Sequence, residues 1–183
     1  MGVRKVIFPT AGFLLNIAKE SAFILRPEAG GPIHTVYSFF YHTLVMPAIG
    51  TNTDASVPGW FGMVTQLSVP GSGTVFGIYA VFLWTILLAL GLWALFSSKI
   101  DIKFRVVLAA MLFGQLLFHF FYGFETFLYS LHFIVVLIPL VALSSLTKFR
   151  VVVLGILIFL IPCVVINNTL QFAKAVTFVE EHY

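Results

Sequence analysis

The chain has 183 residues, of which 60% are hydrophobic and only 9% charged, with 21 phenylalanines. A soluble domain carries about a quarter charged residues to satisfy water, so this composition excludes one and describes an integral membrane protein. The net charge of +3 is spread along the chain and forms no block that could track a phosphate backbone, which excludes nucleic acid as a partner. Cys163 is the sole cysteine, so neither an internal disulfide nor a cysteine-based zinc site can be built.

Residues 1–33 read as an N-terminal interfacial or cytoplasmic segment. Arg4 and Lys5 ahead of Val6 to Leu15 imitate a signal peptide, but Pro9 interrupts the apolar run and Asn16 spoils the small-residue cleavage pattern. Met1-Gly2 is followed by Val6 where a myristoylation signal needs Ser or Thr. The next segment, 34–49, is apolar and aromatic. Its 16 residues fall short of a hydrocarbon core of about 30 Å at about 1.5 Å per residue, so it is either a short span or a helix on the outer surface. Residues 50–74 form a loop rich in Gly, Pro, Ser and Thr. Trp60, Phe61, Met63 and Leu67 within it suit a segment resting on the outer membrane face, and a plain connector is an equal alternative.

Residues 75–167 predict a four-helix membrane bundle, because hydrocarbon leaves backbone groups no partners but each other. Val75 to Phe96 is uncharged, Phe104 to Phe121 carries only Arg105, and Thr126 to Leu146 is uncharged with Pro139 as an expected kink. Val151 to Asn167 is shorter and contains Pro162, but Lys148 and Arg150 before it and Asn168 after it flank it like a span. Residues 168–183 read as an external amphipathic tail. The expected fold class is therefore all-α, a polytopic transmembrane bundle of about five spans.

Lysine and arginine are retained on the cytoplasmic side. Lys99, Lys103 and Arg105 lie between the first two long spans and Lys148 and Arg150 between the last two, whereas Tyr122 to Thr126 and Thr51 to Thr74 hold neither residue type. If 34–49 crosses, nine of the ten basic residues lie inside, and this favours five spans with the N-terminus cytoplasmic and the C-terminus external. If nothing before Val75 crosses, the count is five to five; if Val6 to Leu25 crosses instead, it is seven to three. That last crossing puts Asn16, Lys19 and Glu20 near hydrocarbon, a cost of several kcal/mol unless they are paired.

Polar side chains inside a bilayer are expensive, so the few present narrow the search for a site. Gln115, His119 and Tyr122 share a helical face at the outer end of one span, and Glu125, Tyr129 and His132 repeat that spacing at the start of the next. The antiparallel connection places both stripes at one depth, where they could bind a cation, relay protons or position a lipid headgroup. The plainer alternative is that they hydrogen-bond one another and stitch two helices together. A haem between His119 and His132 lacks a second histidine pair, and no cofactor or metal is expected. His34 and His42 are expected at the interface.

The stretch Phe118 to Phe133, FHFFYGFETFLYSLHF, with the paired Asn167 and Asn168 and the earlier SFFYHTLVMP at Ser38 to Pro47, resembles the C-terminal membrane part of bacterial GT-C-type glycosyltransferases. The resemblance implies a bacterial inner-membrane protein that handles a polyprenyl-phosphate sugar at the external face, with the lipid bilayer as its medium. That family's catalytic acidic residue lies in a first external loop near the N-terminus of a longer chain. Asp54 does not match its context, so the catalytic residue is unassigned and this chain alone is not expected to transfer sugar. Glu125, Tyr129 and His132 would then help line the external cavity. A small non-enzymatic subunit of a larger membrane complex is the other function class.

Overall fold

The computed structural model describes residues 30–53, 61–123 and 125–182 of the chain. The signal-peptide and myristoylation readings, the Val6 to Leu25 crossing, Asp54, Trp60 and Phe124 lie outside the described residues. Within them the fold is an all-α bundle with one small strand pair. Helix α1 (Gly31–Tyr37) winds on as a π-helix over Ser38–His42, strands β1 (Gly50–Thr53) and β2 (Phe61–Val64) pair antiparallel with Gly50 opposite Val64, and a 3-10 turn at Pro70–Gly73 leads into α2 (Val75–Ser97). The helices α3 (Ile102–Tyr122), α4 (Ser130–Ala142) and α5 (Arg150–His182) follow.

Four helical segments among the described residues are long and apolar enough to cross a membrane: Val75–Ser97, Ile102–Tyr122, Thr126–Leu146 and Arg150–Glu181. The third is α4 with a 3-10 turn at each end, Thr126–Tyr129 and Leu143–Leu146. The helix within segment 34–49 is too short to be counted among them. It stops at His42 after a stretch of about 18 Å, and the chain then turns back through Leu44 and Val45, whose N–H groups both donate to the Tyr41 carbonyl. Nor does the last helix end at Asn167: it runs unbroken to His182, about 50 Å in all, so the expected tail continues the same helix.

Each span is apolar around most of its circumference, and in α2 small residues mark the packed face. In α2 the buried positions are Gly77, Ala80, Trp84, Leu87, Gly91, Ala94 and Leu95, a spacing of three and four that keeps one side inward. Without a hydrophobic drive between helices in lipid, close backbone approach carries the association. A Cβ on Gly91 would lie 2.5 Å from the Leu140 carbonyl oxygen, so α2 and α4 cross there only because the side chain is missing. The core next to this crossing joins Trp84 and Leu87 to Phe133 and Leu137 of α4, Leu160 of α5 and Phe39. Phe39 and Phe133 have ring centroids 4.5 Å apart. The outward faces stay bare, with Phe113 67% and Phe159 69% exposed, as lipid contact requires.

The helix ends are closed by side chains. The Thr74 hydroxyl accepts from Gly77 N at 2.9 Å at the start of α2, and Asp101 accepts from Lys103 N at 2.7 Å at the start of α3. Arg105 donates to the Phe96 and Ser98 carbonyls at the end of α2, a cation where the helix dipole is negative. The antiparallel run places the basic loops 98–101 and 147–149 together at one end, where Trp93 and Phe149 meet edge to face at 5.5 Å. Helix α1, the strand pair and the turn at Pro70–Gly73 gather at the other end.

Candidate functional site at the polar end of the bundle

Residues 31–53 and 61–74 fold over the polar end and are fastened there by two sets of amide side chains. Gln66, 2% exposed, is the centre of the first. Its Nε2 donates to the Gly123 carbonyl at 2.9 Å, while its Oε1 accepts from Thr126 N at 3.1 Å. These two bonds fix the amide orientation, because one partner can only accept and the other only donate. Ser38 Oγ then gives its proton to Gln66 Oε1 at 3.3 Å and accepts from His42 Nδ1 at 2.9 Å. Longer contacts from Gln66 Nε2 reach the hydroxyls of Thr35 and Thr126, both at 3.4 Å. One glutamine thus joins α1, the end of β2 and the α3–α4 turn.

Asn167 and Asn168 hold the second set. Asn167 Oδ1 accepts from the hydroxyls of Ser72 and Thr74, each at 2.7 Å, and its Nδ2 donates to the Met46 carbonyl at 3.0 Å. Asn168 Oδ1 accepts from Met46 N at 2.8 Å and its Nδ2 donates to the Leu44 carbonyl at 3.0 Å. One turn further, Gln171 Nε2 donates to Ser72 Oγ at 3.1 Å. The backbone is drawn in tightly enough that Gly77 has no room for a side chain: a Cβ there would fall 2.6 Å from Asn167 Oδ1 and closer still to the Gly71 carbonyl.

The expected stripes meet, but through their rings. His119 is buried, and its ring packs edge to face on Tyr129 of the following segment at 5.1 Å and on Phe133 at 4.6 Å. Tyr129 stacks in turn on the exposed His132 at 6.0 Å. Gln115 takes part through its backbone carbonyl, which accepts from His119 Nδ1 at 2.8 Å, and this leaves the buried Nε2 with no partner. Tyr122 lies apart, stacked on Phe118 at 5.4 Å.

Glu125 does not join them. Its carboxylate accepts from Thr65 N at 3.1 Å and from the Thr65 hydroxyl at 2.7 Å. The expected spacing fails for a local reason. The chain at Glu125 is extended, with φ −130° and ψ 75°, and helix begins only at Thr126 as a 3-10 turn, so Glu125 does not share the face of Tyr129 and His132. A single hydrogen-bonded group of Gln115, His119, Glu125 and His132 is therefore not formed.

His42 is buried as well, not interfacial as expected. Burial, and to a lesser degree the neighbouring His34, pushes its imidazole down to about 4; the Val69 backbone favours the protonated ring in part, although no hydrogen bond to Nε2 forms. Among the described residues no three His, Cys, Asp or Glu side chains gather as a metal ion would need. Sequence reasoning missed Gln66, Thr65, Ser38 and Thr35, whose only signal was a polar residue type in or beside an apolar stretch.

A groove between α2 and α3 encloses about 430 Å³ and is lined almost wholly by apolar side chains. These two helices each pack on α4 and scarcely touch one another. Comparison of the chain with protein-family models, with curated proteins and with solved structures finds no match.

Proposed function

We propose that this chain is the C-terminal membrane portion of a GT-C-like glycosyltransferase that handles a polyprenyl-phosphate sugar at the external face of a bacterial inner membrane. It supplies the floor of the site and not its catalytic group. The observation that carries this reading is the stack at the polar end, in which exposed His132 lies on Tyr129 and buried His119 backs them. Such a platform offers a flat aromatic face and an imidazole at headgroup depth, where a sugar phosphate would rest.

Two further features agree with it. Lys99, Lys103, Lys148 and Arg150 gather in the short loops at the opposite end, whereas residues 51–74 and 122–126 hold no lysine or arginine, and by this contrast between loops the positive-inside rule turns the polar end outward. Glu125, with both of its donors supplied by Thr65, is a positioning group and not an acid or base poised for reaction.

The test is photo-crosslinking of the full chain in vesicles with a polyprenyl-phosphate sugar that carries a photoreactive group on the sugar. Label on the peptide holding Tyr129 and His132, lost in Tyr129→Ala and His132→Ala, is the expected result. Equal label in both variants overturns the reading, and turnover by the purified chain overturns the division of labour. The second function class, a non-enzymatic subunit, draws on one observation: along α3 only Leu108 and His119 are buried, which leaves that helix open to a neighbouring membrane helix.

A further inference from the structure

We infer that the groove between α2 and α3 binds one phospholipid with an anionic headgroup, its acyl chain in the groove and its phosphate at Ser98 and Arg105. The site lies at the opposite end of the bundle from the aromatic stack and does not depend on the function proposed above.

The apolar part comes first. The groove runs along α2 from Thr85 to Phe96, about 16 Å, with Leu88 and Leu92 on one wall and Ala109, Leu112 and Leu116 of α3 on the other. It opens sideways, since Leu92 is 49% and Phe96 72% exposed. In a bilayer that opening faces hydrocarbon, so the solvent that fills it is an acyl chain. Phe40 and Tyr41 complete its lining.

The foot of the groove supplies the head. Phe96, its last wall residue, gives its carbonyl to Arg105 Nη1 at 3.3 Å, and the Ser98 carbonyl takes the other terminal nitrogen. Two donors are left over: Arg105 Nε and Ser98 Oγ are buried without a partner, and a phosphate reaches them as the Arg105 side chain moves off the Ser98 carbonyl. An unmade bond at a buried donor is costly, and at a cation more so. Lys99 and Lys103 flank them and are exposed, whereas the one carboxylate nearby, Asp101, is held by Lys103 N at 2.7 Å. Three cations and a hydroxyl at headgroup depth, directly below a chain-sized groove, match a phosphodiester that bears an acyl chain, and a basic pocket between spans is how such headgroups are recognised.

The experiment follows the unfolding midpoint of the purified full chain in detergent with added phosphatidylglycerol or with phosphatidylcholine of identical chains. At a hundredfold excess over its Kd the anionic lipid raises the midpoint by about 5 °C or more, and the zwitterionic one by less. Arg105→Gln removes the difference between the two lipids, and Ala109→Phe, which fills the groove, removes the gain from both. Because Arg105 also closes the end of α2, the exposed pair Lys99→Gln and Lys103→Gln provides an independent check and narrows the difference. Equal midpoints with the two lipids, or a difference that survives in Arg105→Gln, overturn the inference. Inorganic phosphate that stabilises as much as phosphatidylglycerol does so too, since the site would then hold a free anion.

Discussion

Thr65 and Glu125 are sixty residues apart in sequence, yet the threonine gives both its backbone N–H and its hydroxyl to the one carboxylate. The pair pins the end of β2 to the turn between two spans, and the neighbouring Gln66 repeats the connection through Gly123 and Thr126.

Glu125→Gln keeps the shape but gives up a charge-assisted acceptor, so the unfolding midpoint in detergent falls by the equivalent of about 1 to 2 kcal/mol. Combined with Thr65→Val the loss is less than additive, because both variants act on the one bond between the Thr65 hydroxyl and the carboxylate. Combined with His132→Ala it is additive, because the two side chains share no bond. Non-additivity between positions 125 and 132 would restore a hydrogen-bonded group across the turn.

The spans were legible because their signal is local. An uninterrupted apolar run from Val75 or from Thr126 needs no knowledge of a partner, and both begin where expected. The site was harder to read. A stripe at i, i+4, i+7 assumes α-helix, and the 3-10 turn at Thr126–Tyr129 turned Glu125 away while leaving His119, Tyr129 and His132 in contact. Gln66 sits among Gly, Pro, Ser and Thr with no periodicity, and its partners are 28 to 60 residues away, so nothing local marks it as a hub. The segment 34–49 misleads in another way: its apolar surface is spent on Phe133 and Trp84 in the fold and not on lipid.

Asn167 carries more of the second fastening than Asn168. Its Oδ1 serves two hydroxyls and the residue is fully buried, so Asn167→Leu leaves the Met46 carbonyl without its donor, at about 1 to 3 kcal/mol, and forces the Ser72 and Thr74 hydroxyls to share the Gly71 carbonyl. Asn168→Leu leaves the backbone groups of Leu44 and Met46, which lie in a loop and recover part of the loss by shifting. Limited proteolysis between residues 44 and 74 should therefore accelerate more in Asn167→Leu than in Asn168→Leu. Equal rates would mean that the two asparagines act as one unit.

Sidedness has its own check. Single cysteines at Lys99 and Leu67, both exposed, in a Cys163→Ser background should label differently with an impermeant maleimide, with Leu67→Cys reacting in intact cells and Lys99→Cys only after lysis. The opposite pattern would invert the orientation and move the aromatic stack to the cytoplasmic face.

The last prediction concerns His42. Its imidazole stays neutral in the fold down to about pH 4, against an ordinary value of 6.5 once unfolded. Above pH 6.5 both states hold the neutral ring and the residue adds no pH dependence. Between 6.5 and 4 the unfolded chain takes up a proton that the folded chain refuses, so stability drains away as pH falls through this window and levels off below it. At about 1.4 kcal/mol per pH unit the full loss is about 3 kcal/mol. His34, His119 and His132 are common to parent and variant, so the quantity to follow is the difference between the parent and His42→Asn. An asparagine can still donate to Ser38 Oγ but does not titrate, and the variant should be less stable than the parent at pH 7.5 and close the gap toward pH 4.5. A gap that stays constant across the range would mean that water reaches the ring and that the contact of α1 with Val69 opens in solution.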